Sequence, residues 1–502
     1  MPIRSEAGRH WISTKTSQIV SLEDFCITIS EPASFVDLGS TSPSGLGKLP
    51  DEFETRELLN AYLMSPFNLA FPILDEALLE STIQSAYSES AEISLSTTQL
   101  STTACLLATI SMASYLNLSQ QISTAIDAHT CAAQANSLLI QAMGDISLTT
   151  LQTILLLQLR FMFNGHWKKA NMFNSMACSM ICSLGGHIHE AQAAPGQDLS
   201  IPEREARHIR VLFWVSYVLD KDISLRTGNP PLLTDSYCDL TFPENYLEYD
   251  SYLPGRRGSV QSSDQISGHL IPHFPGDLKL SLLKEKVCRH LFSAQALKND
   301  NNQLLLNIRQ LDDEIESWRL SIPLHFRPAL FVSQSSPLNT MGECSLHFNR
   351  LISLQLEYHH LMTIIHTTVR KCIPGVGDGY RDLHHVVHSS FDLSLEASRS
   401  TIWCIKVLCT KDTADRSRYV NLNHLSYLTT AAMSLFLNII IHPLDHMAQM
   451  DLETMISVAN TICNTHGNES TQGERCRLQE TSDFVMRLVW LGTCAVTKAR
   501  RE

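Results

Sequence analysis

The stretch from Ser200 to Pro243, SIPEREARHIRVLFWVSYVLDKDISLRTGNPPLLTDSYCDLTFP, constrains this chain more than any other. It reads as one long helix, an abrupt stop and an extended return. Ser200 and Glu203 form a capping box, in which each side chain satisfies an orphan N–H of the first turn. Pro202 falls inside that turn, where its missing N–H costs nothing. Glu203 with Arg207, and Asp222 with Arg226, are spaced four apart, as required to meet on a helix surface. Between Ile209 and Leu219 only Arg210 and Ser216 are polar, and the bulk includes Phe213, Trp214 and Tyr217. An amphipathic surface helix carries a wider polar stripe, so this one is expected to be buried on most sides. Gly228 is placed to close it in a left-handed cap, and Pro230 with Pro231 prevents its resumption.

Helical spacing recurs on both sides of this stretch. Leu58, Leu59, Tyr62 and Leu63 share a face, and after the turn at Pro66 and Pro72 so do Leu79, Ile83 and Tyr87. Ser- and Ala-rich helices are expected at about 98–117 and 121–142, where small residues let neighbours approach closely. Leu151, Ile154, Leu155, Gln158, Leu159 and Met162 form the next face. Trp167, Ala170, Phe173, Ala177, Ile181 and Leu184 continue it up to a C-cap at Gly185-Gly186. Residues from Glu244 to about 277 loosen into Gly, Ser, Pro and charge and read as a long loop. Beyond it Leu280, Leu283, Val287 and Leu291 line one helix. Leu304, Ile308, Leu311, Ile315 and Trp318 line another with a heptad-like seam. A second loop is expected at about 328–344, then a helix ending YHHLMTIIHTTV and a His-rich loop. Helices follow near 392–410 and 421–441, and the last ones flank a polar loop around His466 to Glu480. Almost nothing alternates with period two, so the fold class is all-α: a large irregular helical bundle or array with little β-structure. Residues 1–50 are polar and rich in Ser, Thr and Gly, and are expected to form a disordered arm in front of a domain spanning 51–502.

The bulk properties agree. A prior of about one domain per 150 residues suggests roughly three domains in 502 residues, but helical arrays defeat it and one large unit is expected. Charged residues make up 18 %, against roughly 25 % in ordinary globular chains, which fits heavy burial. Acidic residues outnumber basic ones, 51 to 38, for a net charge of −13. A domain that grips nucleic acid with most of its surface is basic, so most of this surface is not a DNA interface. The 14 cysteines are scattered, and none forms a CxxC pair; they read as core thiols. The N-terminus lacks the apolar core of a signal peptide, and no run reaches the about 18 apolar residues of a membrane span.

Several segments resemble a known family. In the organising stretch these are Arg207, Arg210, Phe213-Trp214, Tyr217, Asp220-Lys221, Ser224, Gly228-Asn229-Pro230-Pro231, Asp235, Asp239 and Pro243. Together they resemble the signature of the fungal-specific transcription factor domain, the middle homology region of fungal zinc-cluster regulators. RELLNAYLMSPFNLAFPILDEALL, TLQTILLLQLRFMF, LDDEIESWRLSIPLHFRP and AAMSLFLNIIIHP resemble further family segments, so the likeness runs from about residue 53 to 445. It departs at Asn229, where the family usually has a basic residue. The resemblance implies that these residues are architectural and that the chain regulates transcription in a fungal nucleus, often from within a metabolic gene cluster. Members usually begin with a binuclear zinc cluster of six cysteines. The first hundred residues here contain only Cys26, so the zinc cluster is expected to be missing from this chain, either lost or encoded by an upstream exon.

Each candidate chemical site in the sequence competes with a plainer reading. Asp312, Asp313 and Glu316 match the aspartate-rich turn by which a terpene-synthase-like helical enzyme holds Mg²⁺. Leu311 and Ile315 claim the inward face of that helix, so the three acids are expected to point outward, and no second metal motif follows. Cys178, Cys182, His187 and His189 carry zinc-ligand chemistry, but the cysteines sit among small and apolar residues where thiols pack as hydrophobes. His384, His385 and His388 fall in or beside the His-rich loop without acidic or thiol partners. Basic spots at Lys168-Lys169, Arg256-Arg257, Lys284 to Arg289 and Lys498 to Arg501 are short. No nucleophile elbow, phosphate loop or dinucleotide fingerprint occurs. The sequence therefore points to no catalytic, cofactor or metal residues. It points instead to a transcription regulator with a protein partner or dimer, indirect DNA contact or contact through a zinc-cluster segment, a small-molecule effector between helices, and no membrane association. The competing reading is the metal-dependent enzyme built on Asp312, Asp313 and Glu316.

Overall fold

Side-chain caps fix most of the helix starts. The computed structural model describes residues 5–25, 49–88, 96–118, 127–188, 200–243, 274–324, 326–330, 345–369, 381–410, 418–464 and 472–502. In chain order the helices are α1 (Glu6–Thr16), α2 (Glu52–Leu63), α3 (Pro66–Ala70), α4 (Glu76–Tyr87), α5 (Thr97–Tyr115), α6 (Ala128–Gln141), α7 (Leu148–Phe163), α8 (Trp167–Ser183), α9 (Ile201–Thr227), α10 (Leu278–Val287), α11 (Asn301–Ser321), α12 (Ser345–Thr367), α13 (Arg381–Thr410), α14 (Arg418–Ile441), α15 (Ala448–Asn464) and α16 (Gln472–Arg501). No strand occurs among the described residues, so the all-α expectation holds. Asp51, Asp75, Ser96, Asp127, Ser147, Asp277 and Asp300 each accept a first-turn N–H, which offsets the orphan donors of the helices that follow.

The residues cluster into two compact units, 31–288, and 1–30 together with 289–502. In the first, α5 packs on α6 and α7, α7 on α8, α8 on α9, and α10 on α9. Every residue of α7 except Thr149 is buried, and α9 is buried from His208 to Ser224 apart from Val211 and Asp222. Each fully buried Leu or Phe on them contributes about 1.5–3 kcal/mol. The Phe71-Pro72-Ile73-Leu74 turn is also buried. Its Ile73 carbonyl accepts Gln152 Nε2 of α7 and faces His208 Nε2 of α9, both at 2.9 Å. Phe67, Phe71 and Phe163 pack ring against ring beneath that turn, with centroids 4.9–5.9 Å apart.

In the second unit α12, α13 and α14 pack on one another, and α16 packs on α14 and α15. Arg399 of α13 holds Asp451 of α15 with two bonds of 2.7 and 2.9 Å, and reaches Glu396 at 2.6 Å. Leu304, Ile308, Leu311, Ile315 and Trp318 of α11 are all buried, as their spacing suggests.

Three segments differ from the sequence reading. Residues 5–25, read as part of a polar arm, carry α1 and a 3₁₀ turn at Glu23–Phe25. Ile12, Val20 and Phe25 are buried, Phe25 lies 6.3 Å from Phe436, and Lys498 Nζ donates to the Thr14 carbonyl at 2.7 Å. The anchors follow no single period, so periodicity misses them, and the lysine complements the negative end of α1. Residues 1–4 and 26–48 of the expected arm, 244–273 of the expected loop and 331–344 lie outside the described residues. The His-rich segment is helix from Arg381 onward, because no Pro or Gly interrupts 381–410. Likewise α16 begins at Gln472, inside the expected polar loop.

Candidate functional site

The unusual chemistry of the chain lies where α9 meets its return. The helix ends as read: Ser200 and Glu203 cap one another, with Ser200 N–H 2.9 Å from the Glu203 carboxylate, and Gly228 takes φ 76°. The return passes Pro230-Pro231 and runs back along the helix, because charged side chains of α9 grip its backbone at two places.

Asp220 is the first. Its carboxylate accepts Leu232 N–H at 2.9 Å, Leu233 N–H at 3.1 Å, Asn174 Nδ2 at 2.9 Å and Lys221 Nζ at 2.8 Å. Asp220 and Lys221 side chains are wholly buried. Lys221 Nζ also donates to the Leu233 carbonyl, pairs with Glu285 of α10 at 3.0 Å and lies 4.2 Å over the Tyr217 ring. Burial alone would lower the lysine's pKa, but Asp220 and Glu285 outweigh it and the pKa is raised. Next to this pair, Asp222 accepts Lys284 Nζ at 2.6 Å.

Arg210 is the second grip. Its guanidinium donates to the carbonyls of Gly186 at 3.1 Å, Asp239 at 2.7 Å and Thr241 at 2.9 Å. It lies 4.5 Å over Phe213 and 5.6 Å from the Trp214 ring, while Trp214 packs against Phe242 at 5.3 Å. Asp239 N–H closes the arrangement on the His187 carbonyl at 2.8 Å. Gly186 is required here, since a Cβ would come 2.8 Å from Ile209 Cγ2. The result is a clasp. The charges of Arg210, Asp220 and Lys221 are directed at backbone groups and at one another, so the clasp can hold the return in register.

The sequence singled out Arg210, Asp220 and Lys221 but missed their partners. Lys284 and Glu285 belong to one of the short basic spots of the sequence; both are buried and face α9. The available signal was the Asp220-Lys221 pair itself. A charge pair inside an apolar helix demands further compensation, but its source cannot be named from spacing. Asn174, on α8, carried no signal at all.

The other candidates disperse. On α11, Asp313 and Glu316 are exposed. Asp312, with its side chain 43 % exposed, lies 3.3 Å from His366 Nε2, and Glu316 is tied to Arg319 at 2.7 Å. Cys178 packs in the interior beside Asp220 and Lys221, where burial pushes its thiol well above the usual range, and Cys182 is exposed one turn on. His189 lies outside the described residues, and His384, His385 and His388 fall within the helical backbone of α13. Among the described residues no three His, Cys, Asp or Glu side chains come together as metal ligands. Lys169 stands over Phe161 at 5.9 Å, and Arg256-Arg257 lies outside the described residues.

Comparison with known proteins bears on the same region. The model of a family described as the fungal specific transcription factor domain matches residues 59–320, which include α9, the return and α10. An ABC-transporter-regulating transcription factor of Aspergillus fumigatus is 30 % identical over 284 residues, covering 55 % of this chain and 29 % of that protein. Its namesake in Aspergillus oryzae is 29 % identical over the same length and shares. The Fusaridione A cluster transcription factor of Fusarium heterosporum is 23 % identical over 334 residues, covering 65 % of this chain and 57 % of that protein. The chain thus spans less than a third of the length of the two Aspergillus relatives. No solved structure matches it.

Proposed function

The chain belongs to the fungal specific transcription factor domain family, and on that premise we propose that it is the regulatory body of a fungal transcription regulator acting in the nucleus on genes of small-molecule metabolism or export. The roles named for the Aspergillus and Fusarium relatives, ABC-transporter regulation and control of the Fusaridione A cluster, support that choice of targets. The observation that carries the reading is the clasp: Arg210, Asp220 and Lys221, the charged core of the organising stretch, bind backbone carbonyls and N–H groups rather than any open pocket. Such a device sets shape, which suits a body that transmits state and not one that transforms a substrate.

DNA contact comes through a protein partner, a second copy or a zinc-cluster segment. The net charge of −13 argues against the helical surface itself reading the duplex. A small effector lodged between helices is the input this arrangement would accept. The test is to tag the chain in its fungus, map promoter occupancy by chromatin immunoprecipitation and compare transcripts after deletion. Occupancy of a limited set of metabolic or transporter promoters, with altered transcripts from them, is expected. Steady exclusion from the nucleus with an unchanged transcriptome would overturn the reading. Tight, sequence-specific DNA binding by the purified chain alone would overturn the partner route.

A further inference from the structure

Three thiols gather where the last turn of α8 meets the return of α9, although Cys182 and Cys238 are fifty-six residues apart in the chain. Cys178 is buried, Cys238 is half-buried and Cys182 is exposed. The backbone fixes this neighbourhood. Gly185 N–H donates to the Cys182 carbonyl at 3.2 Å, so Cys182 sits in the turn that closes α8. Two residues further on, the His187 carbonyl accepts Asp239 N–H at 2.8 Å. Arg210 ties the same two segments again, donating to the carbonyls of Gly186 and Asp239 at 3.1 and 2.7 Å. Cys238 immediately precedes Asp239, so the bonds that hold the return against the end of α8 also carry its thiol there. Electrostatics report the same proximity. Burial pushes Cys238 up to about 11, and among the charges that act on it Cys182 has the strongest influence. Cys178, raised chiefly by burial, also feels both of the other thiols.

We propose that Cys182 and Cys238 form an oxidisable pair, a site at which a hydroperoxide closes a disulfide between α8 and the return. Cys182 is exposed, so it meets the oxidant first. Its thiolate attacks the peroxide: an S–O bond forms, the O–O bond breaks, and the departing oxygen takes up the thiol proton and leaves as an alcohol or water. Cys238 then attacks the sulfenic sulfur. The S–S bond forms, the S–O bond breaks, and the hydroxide released leaves as water with the Cys238 proton. Two thiols and one hydroperoxide thus give one disulfide, one water and one alcohol, with a second water in place of the alcohol for hydrogen peroxide. Cys178 takes no part, because burial beside Asp220 keeps it protonated. Arg210 and Lys221 oppose the effect of burial on Cys238 and favour its thiolate as it attacks. Burial raises Cys182 as well, so thiolate is scarce at neutral pH and the pair answers sustained oxidant, not a brief pulse. The bond would add a covalent tie to a return otherwise held by the clasp, and would close into one loop the segment that contains all of α9. The inference stands apart from the regulatory reading: the purified chain forms this bond or does not, whatever genes it controls.

The experiment is titration of the purified, fully reduced chain with hydrogen peroxide, followed by blocking of the remaining thiols, digestion without reductant and mass spectrometry. A cross-linked peptide pair joining Cys182 to Cys238 should appear and should vanish on treatment with dithiothreitol. Cys182→Ser and Cys238→Ser should each abolish it. In Cys238→Ser the sulfenic acid at Cys182 has no thiol to resolve it and should be trapped by dimedone. Cys476→Ser, which removes an exposed thiol on α16, should cross-link as the wild type does. The oxidised wild type should also unfold at a higher denaturant concentration than the reduced one, a shift absent from Cys182→Ser. Cys182 linked to Cys178, chains joined to one another through Cys182, or thiols oxidised to sulfinic acid without a cross-link would each overturn the proposal. So would an oxidised chain that unfolds more easily than the reduced one, since the bond would then form only by distorting the fold.

Discussion

Asp220, inside α9, accepts the backbone N–H of Leu232 at 2.9 Å, twelve residues further along the chain. A carboxylate buried in one helix thus acts as the cap for the turn that leaves it. The charge that makes this bond strong is balanced by Lys221, which in turn holds the next carbonyl of the same turn. Helix and return are joined through both faces of one peptide strand.

Asp220→Ala should therefore cost about 3–5 kcal/mol, because it leaves buried Lys221 with Glu285 as its one carboxylate and removes the acceptor for Leu232, Leu233 and Asn174 at once. Chemical denaturation measures the loss. Hydrogen exchange locates it: amides 229–243 should lose protection while those of α12 and α13 keep theirs. Unchanged protection in 229–243 would mean that the proline turn holds itself.

The lysine is expected to matter through its partners. Lys221→Met leaves Asp220 and Glu285 buried without their cation and should also cost about 3–5 kcal/mol. In Lys221→Met with Glu285→Met one of those stranded charges is gone, and Asp220 keeps its backbone donors. The double variant should be more stable than Lys221→Met by at least about 1 kcal/mol. Additive losses would show that Glu285 serves something other than Lys221.

How much of this was legible follows from the range of each signal. The cap at Ser200, the stop at Gly228 and the burial of Trp214 are local properties, and all three are present. The clasp's partners are not local. Spacing suggests Arg226 for Asp222 at one turn's distance, but it cannot suggest Lys284, sixty-two residues away, which donates to Asp222, nor the Trp167 ring 4.9 Å from Arg226. A buried charge announces a need, and the residue that meets it comes from tertiary packing. The docking of α1 was hidden for a related reason: Ile12, Val20 and Phe25 are too sparse for a periodic pattern, and their burial depends on a surface several hundred residues further on. The outward placement of Asp313 and Glu316 was legible, because Leu311 and Ile315 had already claimed the inner face.

Gly186 offers a test of how tightly α8 and α9 are drawn together. A Cβ there meets Ile209 Cγ2 at 2.8 Å and the Ile209 carbonyl at 3.2 Å, whereas one at Gly144 meets nothing within 4 Å. Gly186→Ala should cost about 1–3 kcal/mol through overpacking, and Gly144→Ala should stay within about 0.5 kcal/mol of the wild type. Thermal unfolding of the two side by side decides it; equal effects would mean that the α8–α9 contact yields freely.

The enzyme reading of α11 makes the opposite prediction from the regulatory one. Replacing Asp312, Asp313 and Glu316 together by Ala removes a half-exposed partner of the buried His366 and an exposed pairing with Arg319, worth about 1–2 kcal/mol in all. Promoter occupancy and target transcripts should be those of the wild type. Complete loss of cellular function at normal protein abundance would restore the metal-site reading.

Stability should fall on mild acidification, and two histidines fix the sign. His359 is wholly buried in α12, with Nε2 donating to the Ala329 carbonyl at 2.8 Å and Nδ1 without a partner. Burial pushes its pKa down to about 4 from the ordinary 6.5. Burial also lowers that of His208, which faces the Ile73 carbonyl in the other unit. Between those two pKa values the unfolded chain binds a proton that folded His359 refuses, so stability rises with pH across that window. The contribution is fully present above about pH 6.5 and declines as pH falls toward 4, by about 3 kcal/mol for His359. Denaturant titrations from pH 7 to pH 4.5 should show the decline. His359→Gln keeps a donor for Ala329 but cannot take up the proton, so it should flatten the slope read by exchange in α12 and leave the slope in α9, set by His208, in place. A wild type equally stable across the range, or a variant with the wild-type slope in α12, would show that His359 gains water when the chain is folded and is not held neutral by burial.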